Sequence, residues 1–168
     1  MDKTYPFITY LESLRGSQDE RAAFAALRRG LGRDPGAAPA MFPYIARWAS
    51  EDTKPWTEAT LYLIASLFAY HPKEGGAGNL GAAFKDAAQS ESDPTAIERR
   101  FTALLAADTE DLHFYLRQAV SFLKSKDVAI NWQQLFEDVQ RWQYGQVQKQ
   151  WAYKFWGRPA EKEPSNNE

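Results

Sequence analysis

Residues 94–144 hold three helix-length apolar patterns in succession, each with its own start and stop signals, and no other stretch restricts the fold as strongly. Asp93-Pro94 sets a capping carboxylate before a proline at the first helical position; Ile97, Phe101, Leu104 and Leu105 then fall on one stripe. Asp108 is placed to cap a second helix reaching Lys126, with Leu112, Tyr115, Leu116, Ala119, Val120 and Leu123 inward. Asn131 caps a third, with Trp132, Leu135, Phe136, Val139 and Trp142 inward, and Gly145 breaks it. No segment alternates apolar and polar residues at period two, so the predicted fold class is all-α, a compact bundle of about eight or nine helices.

The flanking chain fits the same plan. A first helix is expected over 6–15, ending at Gly16; Ser17 with Glu20 then reads as a capping box for a helix that ends at Gly30. Glycines and prolines in 31–40 forbid regular structure there. A short helix follows over 41–49, with Phe42, Ile45 and Trp48 spaced three apart. Pro55 opens a helix to Ala69 that is apolar nearly all round, the mark of a central buried element, and His71-Pro72 ends it. The KEGGAGN segment reads as a flexible connector, after which Asn79 caps a small alanine-rich helix. A last helix runs to Trp156, with Val147, Trp151 and Phe155 on one face and Lys149, Tyr153 and Trp156 on another. Residues 1–157 are expected to form one helical domain, divisible into 1–90 and 91–157 sub-bundles, and 158–168 a disordered tail.

Composition then removes whole classes of function. There is no cysteine, so disulfides and thiolate metal sites are out of reach. The N-terminal residues lack the basic and apolar regions of a signal peptide, and the most apolar run, at 61–70, is far short of the roughly 20 residues that span a bilayer. A cytoplasmic protein without a membrane partner is the expectation. The two histidines, His71 and His113, have no metal-ligand spacing, and no glycine-rich phosphate loop or nucleophile elbow is present. Glu110-Asp111 and Glu137-Asp138 are placed at helix N-termini or exposed faces, where they need no catalytic role. Neither an enzyme nor a cofactor is expected.

Net charge is −2, but the charge is segregated. Eleven of the twenty basic residues lie in the acid-free stretches 21–33, 112–126 and 139–160. Such segregation gives a local positive surface on a near-neutral protein. Within 109–126, His113, Arg117, Ser121 and Lys124 share one helix face, which reads either as an ordinary solvated face or as a row of phosphate contacts. Arg28 and Arg29 end their helix, where cations also offset the helix dipole; Arg33 follows, and Gly30 and Gly32 would let the backbone approach a ligand. Arg99 lies about 200° round its helix from Ile97 and should reach solvent, whereas Arg100 flanks the apolar stripe and is expected as a buried structural pair. Lys126, Arg141, Lys149 and Lys154 complete the candidate nucleic-acid-binding set of Arg28, Arg29, Arg33, Arg99, Arg117 and Lys124. Six tryptophans leave a second reading open, a helical adaptor that binds only protein partners through them.

ALRRGLGR, LYLIASLFAYHP, IERRFTALLAAD, DLHFYLRQAVSFLKSK, INWQQLFEDVQRW and VQKQWAYKFWG together resemble CasB, the small subunit of Cascade, the type I-E CRISPR surveillance complex. The likeness spans about 20–157, and its specificity rests in the ordered series. It implies an all-helical, non-enzymatic subunit, present as a head-to-tail pair of copies. Its implied partners are the other Cascade subunits with their guide RNA, and the target and displaced DNA strands of the R-loop. Arg28, Arg29, Arg99, Arg100 and Arg117 fall where similar proteins carry basic residues; Asn131 stands where the family often has Asp and keeps the capping role.

Overall fold

The structure, a computed structural model, describes residues 3–157; the expected tail at 158–168 lies outside the described residues. The described residues contain no strand, and nine α-helices follow one another. These are α1 (Pro6–Leu14), α2 (Glu20–Arg28), α3 (Phe42–Ile45), α4 (Pro55–Tyr70), α5 (Leu80–Ala88), α6 (Pro94–Leu105), α7 (Leu112–Ser125), α8 (Trp132–Gln140) and α9 (Gln146–Trp156). Single 3₁₀ turns at Pro39–Met41, Ala46–Trp48 and Trp142–Tyr144 flank α3 and join α8 to α9.

Helix α4 is the axis. Every residue from Thr60 to Ala69 is buried, and its two polar members there bond to their own helix: Thr60 Oγ1 donates to the Trp56 carbonyl and Ser66 Oγ to that of Leu63. Helices α2, α7 and α8 pack around it, α6 lies on α7, and α5 pairs with α9. Apolar residues from both ends of the chain, Phe7 to Trp151, belong to one buried cluster. Each fully buried Leu, Ile or Phe in it stabilises the fold by about 1.5–3 kcal/mol.

The capping signals divide by mechanism. Asn79, Asp93 and Asn131 accept from the backbone N–H groups of Ala82, Thr95 and Gln134, as their positions predict. The Ser17 box does not form: Ser17 Oγ donates back to the Leu14 carbonyl, and α2 starts at Glu20 after Asp19. A serine hydroxyl next to a helix end can satisfy an orphan carbonyl instead of a new N–H, and here it does. Asp108 caps a turn, accepting from Glu110 and Asp111, so α7 begins later than expected, at Leu112.

The glycine-rich connector after α4 is pinned to the loop before α8. His71 Nε2 lies 2.6 Å from the Val128 carbonyl, Lys73 pairs with Asp127 at 2.7 Å, and Gly76 sits so close to the Ile130 carbonyl that no Cβ would fit. Glycine serves contact there as well as conformational freedom. Gly81 does the same on α5, lying against the Trp151 backbone and bringing α5 and α9 together.

Candidate nucleic-acid interface

Helix α7 presents its apolar stripe to α4 and α6 and its remaining face to a groove of about 740 Å³. The groove is lined by Gly32, Arg100, His113, Phe114, Arg117, Gln118, Ser121, Phe122 and Ser125, a lining without a carboxylate. A second cavity of about 310 Å³ shares Arg100, Gln118 and Phe122 with it and brings in Arg99, so the two form a continuous depression over α6 and α7.

Each cation is positioned by something specific. The Arg117 guanidinium lies against Gly32, in space that a side chain would otherwise fill. Arg100 lies over the Phe122 ring, 5.5 Å from its centroid. Lys124 Nζ donates to the Tyr70 carbonyl at 2.9 Å and stands 4.0 Å over the Tyr70 ring, while the Tyr70 hydroxyl is 3.2 Å from Ser121 Oγ. From the other side, Arg28 donates to the Ala69 carbonyl at 3.4 Å. Arg28 and Lys124 thus converge on the C-terminus of α4, where cations offset the helix dipole. That duty uses single donors and leaves the rest of each head group exposed.

Among the described residues, Arg28, Arg29, Arg33, Arg99, Arg100, Arg117 and Lys124 make no ion pair, and all are exposed. His113, half-buried, has Asp34 at 3.8 Å. The structure gathers Arg28, Arg99, Arg117 and Lys124 around α7 and its neighbours. Of these, Arg117 lines the groove and Arg99 the adjoining cavity, while Arg28 and Lys124 sit at the C-terminus of α4; none of the remaining candidates lines either cavity. Lys126 is half-buried and paired with Glu91, and Arg141 pairs with Glu137 at 3.6 Å. Lys149 is exposed on α9, and Lys154 lines a different cavity with Asn79, Gln134, Asp138 and Tyr153.

Three readings of the sequence need correction. Arg100 is exposed, with no buried carboxylate beside it; its apolar neighbour Phe122 carries it by stacking on the guanidinium. The room that Gly30 and Gly32 leave is already taken by side chains, Met41 and Ser66 at the first and the Arg117 guanidinium at the second. Asp138 is neither exposed nor N-terminal. It is 4 % exposed, accepts from Trp151 Nε1 at 2.8 Å and Gln134 Nε2 at 2.9 Å, and burial pushes its carboxyl above the usual range. Sequence reasoning missed Phe114 altogether, an aromatic 54 % exposed in the groove; a large ring outside the apolar stripe of α7 was the available signal.

Among the described residues no group of three His, Cys, Asp or Glu could hold a metal, and no helix is long and apolar enough to cross a membrane. The family model for CRISPR-associated protein Cse2 matches residues 23–156. The chain belongs to the Cse2 family. It is 34% identical over 166 residues to CRISPR-associated protein Cse2 of Thermus thermophilus, covering 96% of this chain and 95% of that one. The crystal structure of CasB from the same organism superposes with a TM-score of 0.76 at 33% identity, over 90% of this chain and 96% of that one. M. ruber CasB gives a TM-score of 0.73 at 31% identity, over 89% of this chain and 90% of that one. At 24% identity and a TM-score of 0.76, a chain of a CRISPR RNA-guided surveillance complex shares the fold over 89% of this chain and 88% of its own. The Cse2 fold is therefore the scaffold that positions the α7 groove.

Proposed function

We propose that this chain is a non-catalytic subunit of a type I-E CRISPR surveillance complex, where its α7 face holds nucleic-acid backbone and stabilises the target-DNA R-loop. The observation that carries the reading is the groove's lining, which has no carboxylate of its own and in which the guanidinia of Arg100 and Arg117 are held by packing and unspent on carboxylates. Membership in the Cse2 family and the fold shared with a chain of an RNA-guided surveillance complex support the setting. In such a complex guide pairing reads the sequence, so this subunit needs phosphate contacts alone. Other subunits, guide RNA, both DNA strands and a second copy of the chain are its partners on this reading. Arg28, Arg99, Arg100, Arg117 and Lys124 are the contacts; Arg29 and Arg33 are exposed just beyond the end of α2.

The adaptor reading has less to stand on. Trp132, Trp142 and Trp151 are buried and Trp48 and Trp56 half-buried, which leaves Trp156 as the exposed indole. The Trp56, Trp142 and Trp151 N–H groups are spent on Val139, Ala107 and Asp138.

The test is the salt dependence of DNA binding by the assembled complex. Substituting Arg28, Arg117 and Lys124 singly by Ala should weaken binding uniformly across sequences. Each substitution should also flatten the slope of log K against log salt by about one, for the one phosphate no longer neutralised. An unchanged slope with unchanged affinity in all three variants removes the reading.

A further inference from the structure

Phe114 sits on α7 about 60° round from Arg117 and about 40° from Gln118, in the middle of the polar face. Its ring is 54 % exposed, and Tyr115 meets it nearly at right angles, with centroids 5.3 Å apart. Trp156, exposed to a similar degree, packs on Phe101 and Phe155. Phe114 instead shares its groove with two unpaired guanidinia and the polar side chains of Gln118, Ser121 and Ser125.

From this juxtaposition we infer that Phe114 is a stacking platform for an unpaired base, so that the α7 groove takes single-stranded nucleic acid by backbone and base together. The inference rests on the phosphate-binding reading above and adds the state of the strand. Arg100 and Arg117 would hold consecutive stretches of backbone while one base lies on the Phe114 ring. Every base offers a π-face, so stacking adds affinity without sequence preference. A paired strand keeps its base faces inside the helix and gains nothing from the ring.

The experiment compares a fluorescent oligothymidylate with an abasic oligonucleotide of the same length, titrated with the full chain. The wild-type chain should bind oligothymidylate more tightly than the abasic strand. Phe114→Ala should weaken oligothymidylate binding roughly five- to a hundred-fold and leave abasic binding unchanged. Phe114→Trp should restore the preference, with the new indole quenched by oligothymidylate and not by the abasic strand. Equal losses on both strands, or an unchanged preference in Phe114→Ala, overturn the inference. So does a Phe114→Ala chain that keeps the preference and fails to join its neighbouring subunits, which makes the ring a protein contact. If Arg100→Ala and Arg117→Ala weaken both probes while Phe114→Ala weakens neither, the phosphate reading stands and stacking falls. If the wild-type chain binds neither probe, the stacking inference falls, and the phosphate reading is decided by the salt slope of the assembled complex.

Discussion

The basic residues of α7 and those of the α8–α9 end come from equally acid-free stretches, 112–126 and 139–160, and the fold puts the two regions to different uses. Around α7 the arginines stack on a phenyl ring and a glycine, so their charge remains available to a ligand. At the α8–α9 end a carboxylate and two indoles turn inward on one another, while Lys149 and Lys154 stay exposed. Asp138 takes hydrogen bonds from Trp151 and Gln134, the Trp142 and Trp151 rings lie 5.0 Å apart, and Arg141 spends its charge on Glu137 one turn earlier. Acid-free in sequence is not acid-free in space: Glu137 and Glu91 lie outside the basic stretches yet reach into them. One end has become a surface and the other a staple.

If that division holds, the largest effect on stability should follow from cutting the staple. Trp151 is fully buried against the α5–α9 contact. Trp151→Ala should lower stability by about 3–5 kcal/mol in urea unfolding, the range for deleting a buried aromatic. A loss below about 1 kcal/mol would mean that α9 is not part of the cooperative fold.

Asp138 is the next lever. Asp138→Ala leaves the Trp151 and Gln134 donors buried without an acceptor and should cost about 1–3 kcal/mol, whereas Asp138→Asn keeps an acceptor and should cost less. Burial is the largest influence on this carboxyl and raises its pKa in the folded state. The folded chain therefore holds this proton more tightly than the unfolded chain. The stabilisation is fully present below the ordinary aspartate range and is lost as pH rises through the folded-state value. Wild type should accordingly gain on Asp138→Asn as pH falls from neutral toward about 4; a difference that is flat with pH removes the claim.

Much of this was legible in the residues. Apolar spacing and the Asn79, Asp93 and Asn131 caps are local signals, read within one turn, and they placed the starts of α5, α6 and α8 correctly. Three-dimensional partners are not local. Nothing near Arg100 in sequence announces Phe122, nothing near Gly32 announces Arg117, and nothing in the Glu137-Asp138 pair says which carboxylate is buried. The same limit explains the candidate set: ten basic residues share a composition, and only tertiary contacts separate those around the groove from those already paired.

Lys149 and Lys154 test where the surface ends, with the smallest expected effect. Both are exposed on α9 and neither makes an ion pair among the described residues, so charge availability alone does not distinguish them from Arg117. Position does: neither lines the groove on α7. If backbone binding is confined to the groove, Lys149→Ala and Lys154→Ala should change stability by less than about 0.5 kcal/mol, as exposed substitutions do, and leave the salt slope of the complex as it was. A slope flattened by about one for either variant would show that the strand runs on across α9, and the division between surface and staple would have to be redrawn through the middle of that helix.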